Sequence, residues 1–122
     1  MKKLIYIKVY KGYIEARAVG KIIDKQYHCI GLNHPRSLAG KFSDVEITFK
    51  KILSEQPKSL LGLVKPKVIV HLVPKVEGGY TELERRFFRE AALGGGASEV
   101  YLIDDSHGPL QDYQLSEVSQ WL

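Results

Sequence analysis

Four histidines, a single cysteine and 14 carboxylates are the groups from which any chemistry must be assembled. Cys29 follows His28 directly, an order that invites a thiol and its base. Neighbours on a strand point to opposite faces, so the imidazole does not reach the thiol, and the cysteine reads as buried structure. His28, His34, His71 and His107 show no metal-ligand spacing and read as ordinary strand or loop residues. Lys8 and Lys11 form a basic pair suited to an isolated anion, but two lysines on one strand read first as its solvent face. A lone cysteine excludes an internal disulfide and any multi-cysteine metal site, and it points to a reducing, cytoplasmic setting.

These groups must be held by a scaffold, and the apolar pattern predicts one. Residues 3–10 and 12–19 alternate as strands around Gly12, with Ile5, Ile7 and Val9 facing one way and Tyr6, Lys8 and Tyr10 the other. A third strand is expected near Gln26–Ile30, then a loop from Gly31 to Lys41 punctuated by Pro35 and Gly40. Ser43 with Glu46 three residues on reads as a capping box opening a helix through Val45, Ile47, Phe49, Ile52 and Leu53, which Pro57 closes. Lys67–Pro74 is a β-branched apolar run of the kind buried in a parallel sheet. Thr81 and Glu84 make a second box, opening a helix with Leu83, Phe87, Ala91 and Ala92 that stops at Gly94-Gly95-Gly96. Glu99–Ile103 is a further strand and Leu115–Leu122 a final short helix. Val68, Val70, Leu72, Val100 and Leu102 should be buried, with the Phe87 face of the second helix across them.

A chain of 122 residues fits one domain with a core of its own. Its 44% hydrophobic and 26% charged residues are ordinary for a globular protein. No apolar run approaches the ~20 residues of a membrane span. Met1-Lys2-Lys3 followed by Leu4-Ile5 resembles a signal peptide only briefly, because Lys8 and Lys11 interrupt it and no small-residue cleavage site follows. The net charge of +4 conceals a polarity: +9 over residues 1–70 and −5 over 71–122. Such an asymmetry reads first as solvated surface charge, and it can also steer a partner or favour head-to-tail self-association.

The order βββ-α-β-α-β-α predicts an α/β fold: a ribonuclease-H-like mixed five-stranded sheet with a right-handed helical crossover. Val73-Pro74, Thr81-Glu82-Leu83-Glu84-Arg85-Arg86, Arg89-Glu90-Ala91-Ala92, Gly94-Gly95-Gly96 and Leu102-Ile103-Asp104-Asp105 carry a closer likeness. In that series the stretch from Val68 to Asp105 resembles MreB, the rod-shape-determining bacterial actin, with one small insertion after Pro74. His34-Pro35 and Asp44-Val45-Glu46-Ile47-Thr48 echo the same family more weakly. The resemblance implies a single actin-like ATPase lobe over residues 1–122. It leaves no room for the small inserted subdomain between the third strand and His34, and places the second lobe beyond residue 122.

The resemblance also implies what is missing. The family's first strand ends in a carboxylate that organises Mg²⁺ and a Gly-Thr that admits phosphates; Lys8 and Tyr10-Lys11 occupy those positions. Glu84 falls at the family's water-positioning glutamate, but its capping role with Thr81 accounts for it. Ser106-His107-Gly108-Pro109-Leu110 replaces a small-residue helix start near the nucleotide. A ribonuclease-H-type two-metal site fares no better: Lys8 stands at its first acid position and His71 is the polar residue of the Val68–Val73 strand. No catalytic, cofactor-binding or metal-binding residue is therefore expected, and no cofactor. The resemblance implies a non-enzymatic interaction or assembly module that modulates cell-shape or cytoskeletal filaments, its partner a protein, either itself or an MreB-like filament. Contact is expected around Asp104–Gly108, resurfaced by Ser106, His107, Gln111 and Asp112. The alternative is a nucleic-acid or anionic-surface binder built on Lys2, Lys3, Lys8, Lys11, Arg17 and Lys21 with Tyr6, Tyr10 and Tyr13. A folded gene remnant without function is the third reading.

Overall fold

A computed structural model of the chain describes residues 4–20, 24–56 and 65–121. The elements run β1 (Leu4–Tyr10), β2 (Tyr13–Ala18), β3 (Lys25–His28), α1 (Phe42–Ser54), β4 (Lys67–Leu72), α2 (Glu82–Gly94), β5 (Glu99–Ile103) and α3 (Asp112–Trp121), with one 3-10 turn at Ile30–Leu32. They build one five-stranded sheet of order β3-β2-β1-β4-β5. The first three strands pair antiparallel, whereas β4 and β5 run parallel to β1. The expected α/β, ribonuclease-H-like architecture is what forms.

β1 and β4 lie centrally, and both faces of the sheet are covered. On one face Ile5, Ile7, Val9, Val68, Val70 and Leu72 pack beneath Val45, Phe49 and Ile52 of α1 and Phe88, Ala91 and Ala92 of α2. On the other, Tyr6, Ile69, Tyr101 and Ile103 pack against Leu115 of α3 and the half-buried Leu110. Full burial of such an aliphatic side chain is worth about 1.5–3 kcal/mol, so these two strands carry much of the stability.

The second layer corrects the reading of β1. Lys8 does not lie on a solvent face as expected of the lysine pair, because α3 and the segment leading into it close over its side of the sheet. Tyr6 is fully buried and Lys8 is only 7% exposed.

The helix starts differ in an instructive way. Thr81 caps α2 with the expected box: its side chain accepts from the Glu84 amide, and Glu84 accepts from the Thr81 amide. Ser43 caps nothing. The Lys41 amide donates to the Gly31 carbonyl, which fixes the chain two residues before the expected cap, and α1 begins at Phe42 with an uncapped Lys41 before it. That approach depends on Gly40, where a Cβ would collide with the Gly31 carbonyl.

Phasing from Thr81 also turns Phe88, rather than Phe87, into the core; Phe87 is half-buried against Phe42 and Phe88, and Leu83 is exposed. Val100 and Leu102 are only partly buried because β5 is an edge strand. The third strand ends two residues early, at His28, and α3 begins three residues early, at Asp112. Pro57, the expected end of the first helix, lies outside the described residues.

Candidate functional site

The carboxyl ends of parallel strands are where α/β proteins place their ligands, and here the ends of β1 and its hairpin are occupied by the protein itself. Lys8, which the sequence resemblance sets against a metal-organising carboxylate, sends its Nζ to Asp24 Oδ2 at 3.0 Å and lies 3.7 Å from Glu15 Oε1. Mg²⁺ placed there would meet an ammonium, and the nearest carboxylates are already neutralised.

The hairpin that follows is equally committed. Gly12 adopts φ +81, and a Cβ there would collide with Asn33 Oδ1. Its amide, of the kind a phosphate loop would present, donates instead to the Leu32 carbonyl at 3.1 Å, and its own carbonyl accepts from Cys29. Lys11 Nζ donates to the His34 carbonyl at 2.7 Å. Tyr10 and Tyr13 stack with ring centroids 4.8 Å apart. Burial, assisted by Glu15, pushes the Tyr10 phenol up to about 12. A nucleotide with its Mg²⁺ does not fit these residues.

Glu84 spends both oxygens on structure, one on the Thr81 amide and the other on the Ser37 hydroxyl. Burial raises its pKa, but these hydrogen bonds outweigh that and leave it below the ordinary carboxylate value. Asp104 accepts from the amide and hydroxyl of Ser106 and pairs with Arg85, which together hold it well below the usual range. Asp105 accepts from the Val76 amide. Cys29 is buried and receives a hydrogen bond from Thr48, while His28 points to solvent, as strand alternation required.

The most developed polar structure lies on the α3 side. Arg17 bridges Asp24 at 3.4 Å and Asp112 at 2.7 Å, and Asp112 also accepts from the Gly20 amide. These pairs line an open hollow of about 540 Å³ between Lys8, Arg17, Asp24 and residues 109–113. Deeper in, Tyr6 and His71 hydrogen-bond at 2.7 Å with His71 fully buried. Sequence reasoning passed over this network. Its signal was a histidine inside an unbroken apolar strand, which needs a polar partner wherever it is buried. Among the described residues, no group of three or more His, Cys, Asp and Glu side chains is arranged to hold a metal ion.

Much of the basic N-terminal surface is buried or paired. Tyr6 is buried, and Lys8 and Arg17 are paired with carboxylates. Lys2, Lys3 and Lys21 lie outside the described residues. Lys11, Tyr10 and Tyr13 remain at the hairpin.

The sheet order defines an α/β, ribonuclease-H-like lobe of the actin-like type in fold. No family model matches the sequence, and no curated protein matches it. Among solved structures the chain is similar to MreB 5 of Spiroplasma citri bound to AMPPNP, with a TM-score of 0.59 at 14% identity. The match covers 85% of this chain and 39% of that one, so the chain spans about two fifths of the length of the structure it resembles. At that identity the likeness establishes the fold. No helix among the described residues is long and apolar enough to cross a membrane.

Proposed function

We propose that the chain is a non-enzymatic, MreB-like interaction module, a single actin-like lobe in which the small subdomain is replaced by the short connection from Cys29 to Lys41. Its partner is a protein, either a second copy or an MreB-like filament, and its role is to modulate cell-shape or cytoskeletal assembly. The observation that carries this reading is Lys8: buried and ion-paired to Asp24 and Glu15, where the resemblance expects a metal-organising carboxylate, it opposes the binding of Mg²⁺-nucleotide. Actin-like surfaces assemble independently of the chemistry in their cleft, so loss of the cleft chemistry is compatible with retained binding. The opposed charges of the two halves supply an attraction for such contacts.

Co-sedimentation with preformed filaments of an MreB-type protein, at low and high salt, tests the proposal. Salt-sensitive pelleting with the filaments, or concentration-dependent self-association by light scattering, is the expected outcome. A strict monomer at low salt that stays in the supernatant would remove the assembly reading.

A further inference from the structure

Beside the bonds that Arg17 gives to the Leu110 carbonyl and to Asp112, two hydrogen bonds hold the segment before α3 to a Tyr6–His71 pair in the sheet, a third joins the pair itself, and the directions of these three can be assigned. The His107 carbonyl only accepts, so His71 Nε2, 2.9 Å away, carries a proton. The Leu110 amide only donates, so it uses a lone pair of the Tyr6 hydroxyl at 3.1 Å. The hydroxyl proton is then free for His71 Nδ1 at 2.7 Å, which accepts it in the neutral imidazole. The bonds run in one sense, from Leu110 through Tyr6 to His71 and on to His107, and they fasten the loop to β1 and β4 at two points.

We propose that Tyr6 and His71 form an acid-sensitive clasp, in which protonation of the imidazole releases residues 106–111, and α3 with them, from the outer face of the sheet. A protonated Nδ1 turns from acceptor to donor. The Tyr6 hydroxyl would have to rotate to receive it while still accepting from Leu110, and its own proton would lose its acceptor in a fully buried site.

The surroundings do not compensate the new charge. Lys8, the register partner of His71 on β1, and Arg17 on β2 are both cations, and both lie over the Tyr6 ring. Glu15 and Asp24 are engaged by Lys8 and Arg17, Asp112 by Arg17 and Gly20, and Asp104 by Arg85 and Ser106. His107 adds a second imidazole beside the site. Burial holds the His71 pKa below the ordinary value, with the His107 and Asp104 backbone contacts and the Asp104 charge opposing it only in part. A depressed imidazole stabilises the closed form above the unfolded value of about 6.5, and that contribution is lost as pH falls below it. Opening would bare Tyr6, Ile69, Tyr101 and Ile103, which now pack against Leu110 and Leu115.

Amide hydrogen exchange between about pH 7.5 and about pH 5, corrected for the intrinsic rate, tests the clasp. Residues 106–117 should lose at least about tenfold more protection than β1 and β4. His71→Gln should abolish the difference, whereas His107→Ala, which keeps the backbone carbonyl, should retain it. A pH dependence that survives in His71→Gln, vanishes in His107→Ala, or falls in step with β1 and β4 would overturn the proposal. Should His71→Gln fail to fold, the His71 ring titration by NMR in the unmodified chain decides: its midpoint must coincide with the loss of protection at Leu110, and a mismatch refutes the clasp.

Discussion

A lysine can be taken into a sheet only if its ammonium keeps partners, and Lys8 keeps two, Asp24 and Glu15. Removing Lys8 takes this ion pair from Glu15 and leaves Asp24 with Arg17. Lys8→Met should therefore lower stability by about 1–3 kcal/mol in denaturant titration, less than a fully dry pair because both carboxylates keep some water. Arg17→Met should act in the same direction and also change the acid limb. Asp112 is held below the ordinary carboxylate value first by its bond from Arg17 and then by the Gly20 amide. A carboxylate with a depressed folded pKa stabilises the fold above its unfolded value near 4 and loses that contribution as pH falls through the folded one. The unmodified chain should thus lose stability below about pH 4, and Arg17→Met should flatten that loss. Lys8 was legible in the sequence as a replaced carboxylate. Its burial was not, since the partner Asp24 sits sixteen residues on and alternation alone does not say that α3 covers the second face.

The two helix starts separate local signals that survive folding from those that tertiary contacts override. Thr81-x-x-Glu84 forms its box, so Thr81→Ala should cost about 1 kcal/mol. Ser43-x-x-Glu46 has the same pattern but no box, and Ser43→Ala should leave the melting temperature nearly unchanged. The strand run Lys67–Leu72 and the edge strand Glu99–Ile103 were readable because β-branched apolar runs bounded by Pro and Gly have few other uses. Ala91, Ala92 and the flank formed by Phe87 pack as the sequence predicts, but Phe88 takes the deepest place, since Phe87 and Phe88 are adjacent and only the cap position fixes which one turns fully inward. Leu72→Ala should cost about 2–5 kcal/mol, and Leu102→Ala less, since its strand is an edge. Equal losses by calorimetry would contradict the sheet order.

At the scale of the whole molecule, the fold is an actin-like lobe whose strand ends have been filled from within. Lys8 pairs with Asp24, Lys11 and Gly12 bond to the neighbouring loop, and stacked Tyr10 and Tyr13 close the hairpin. The element order and the Val68–Asp105 stretch made the lobe legible from sequence. The α3-side network was not, because its members come from β1, β2, β4 and the segment before α3, and only the folded sheet brings them together. Titration calorimetry of Mg²⁺-ATP into the purified chain tests the central claim most directly. The account predicts no saturable heat at any accessible concentration, whereas saturable binding in the micromolar range would show that the strand-end site holds nucleotide after all.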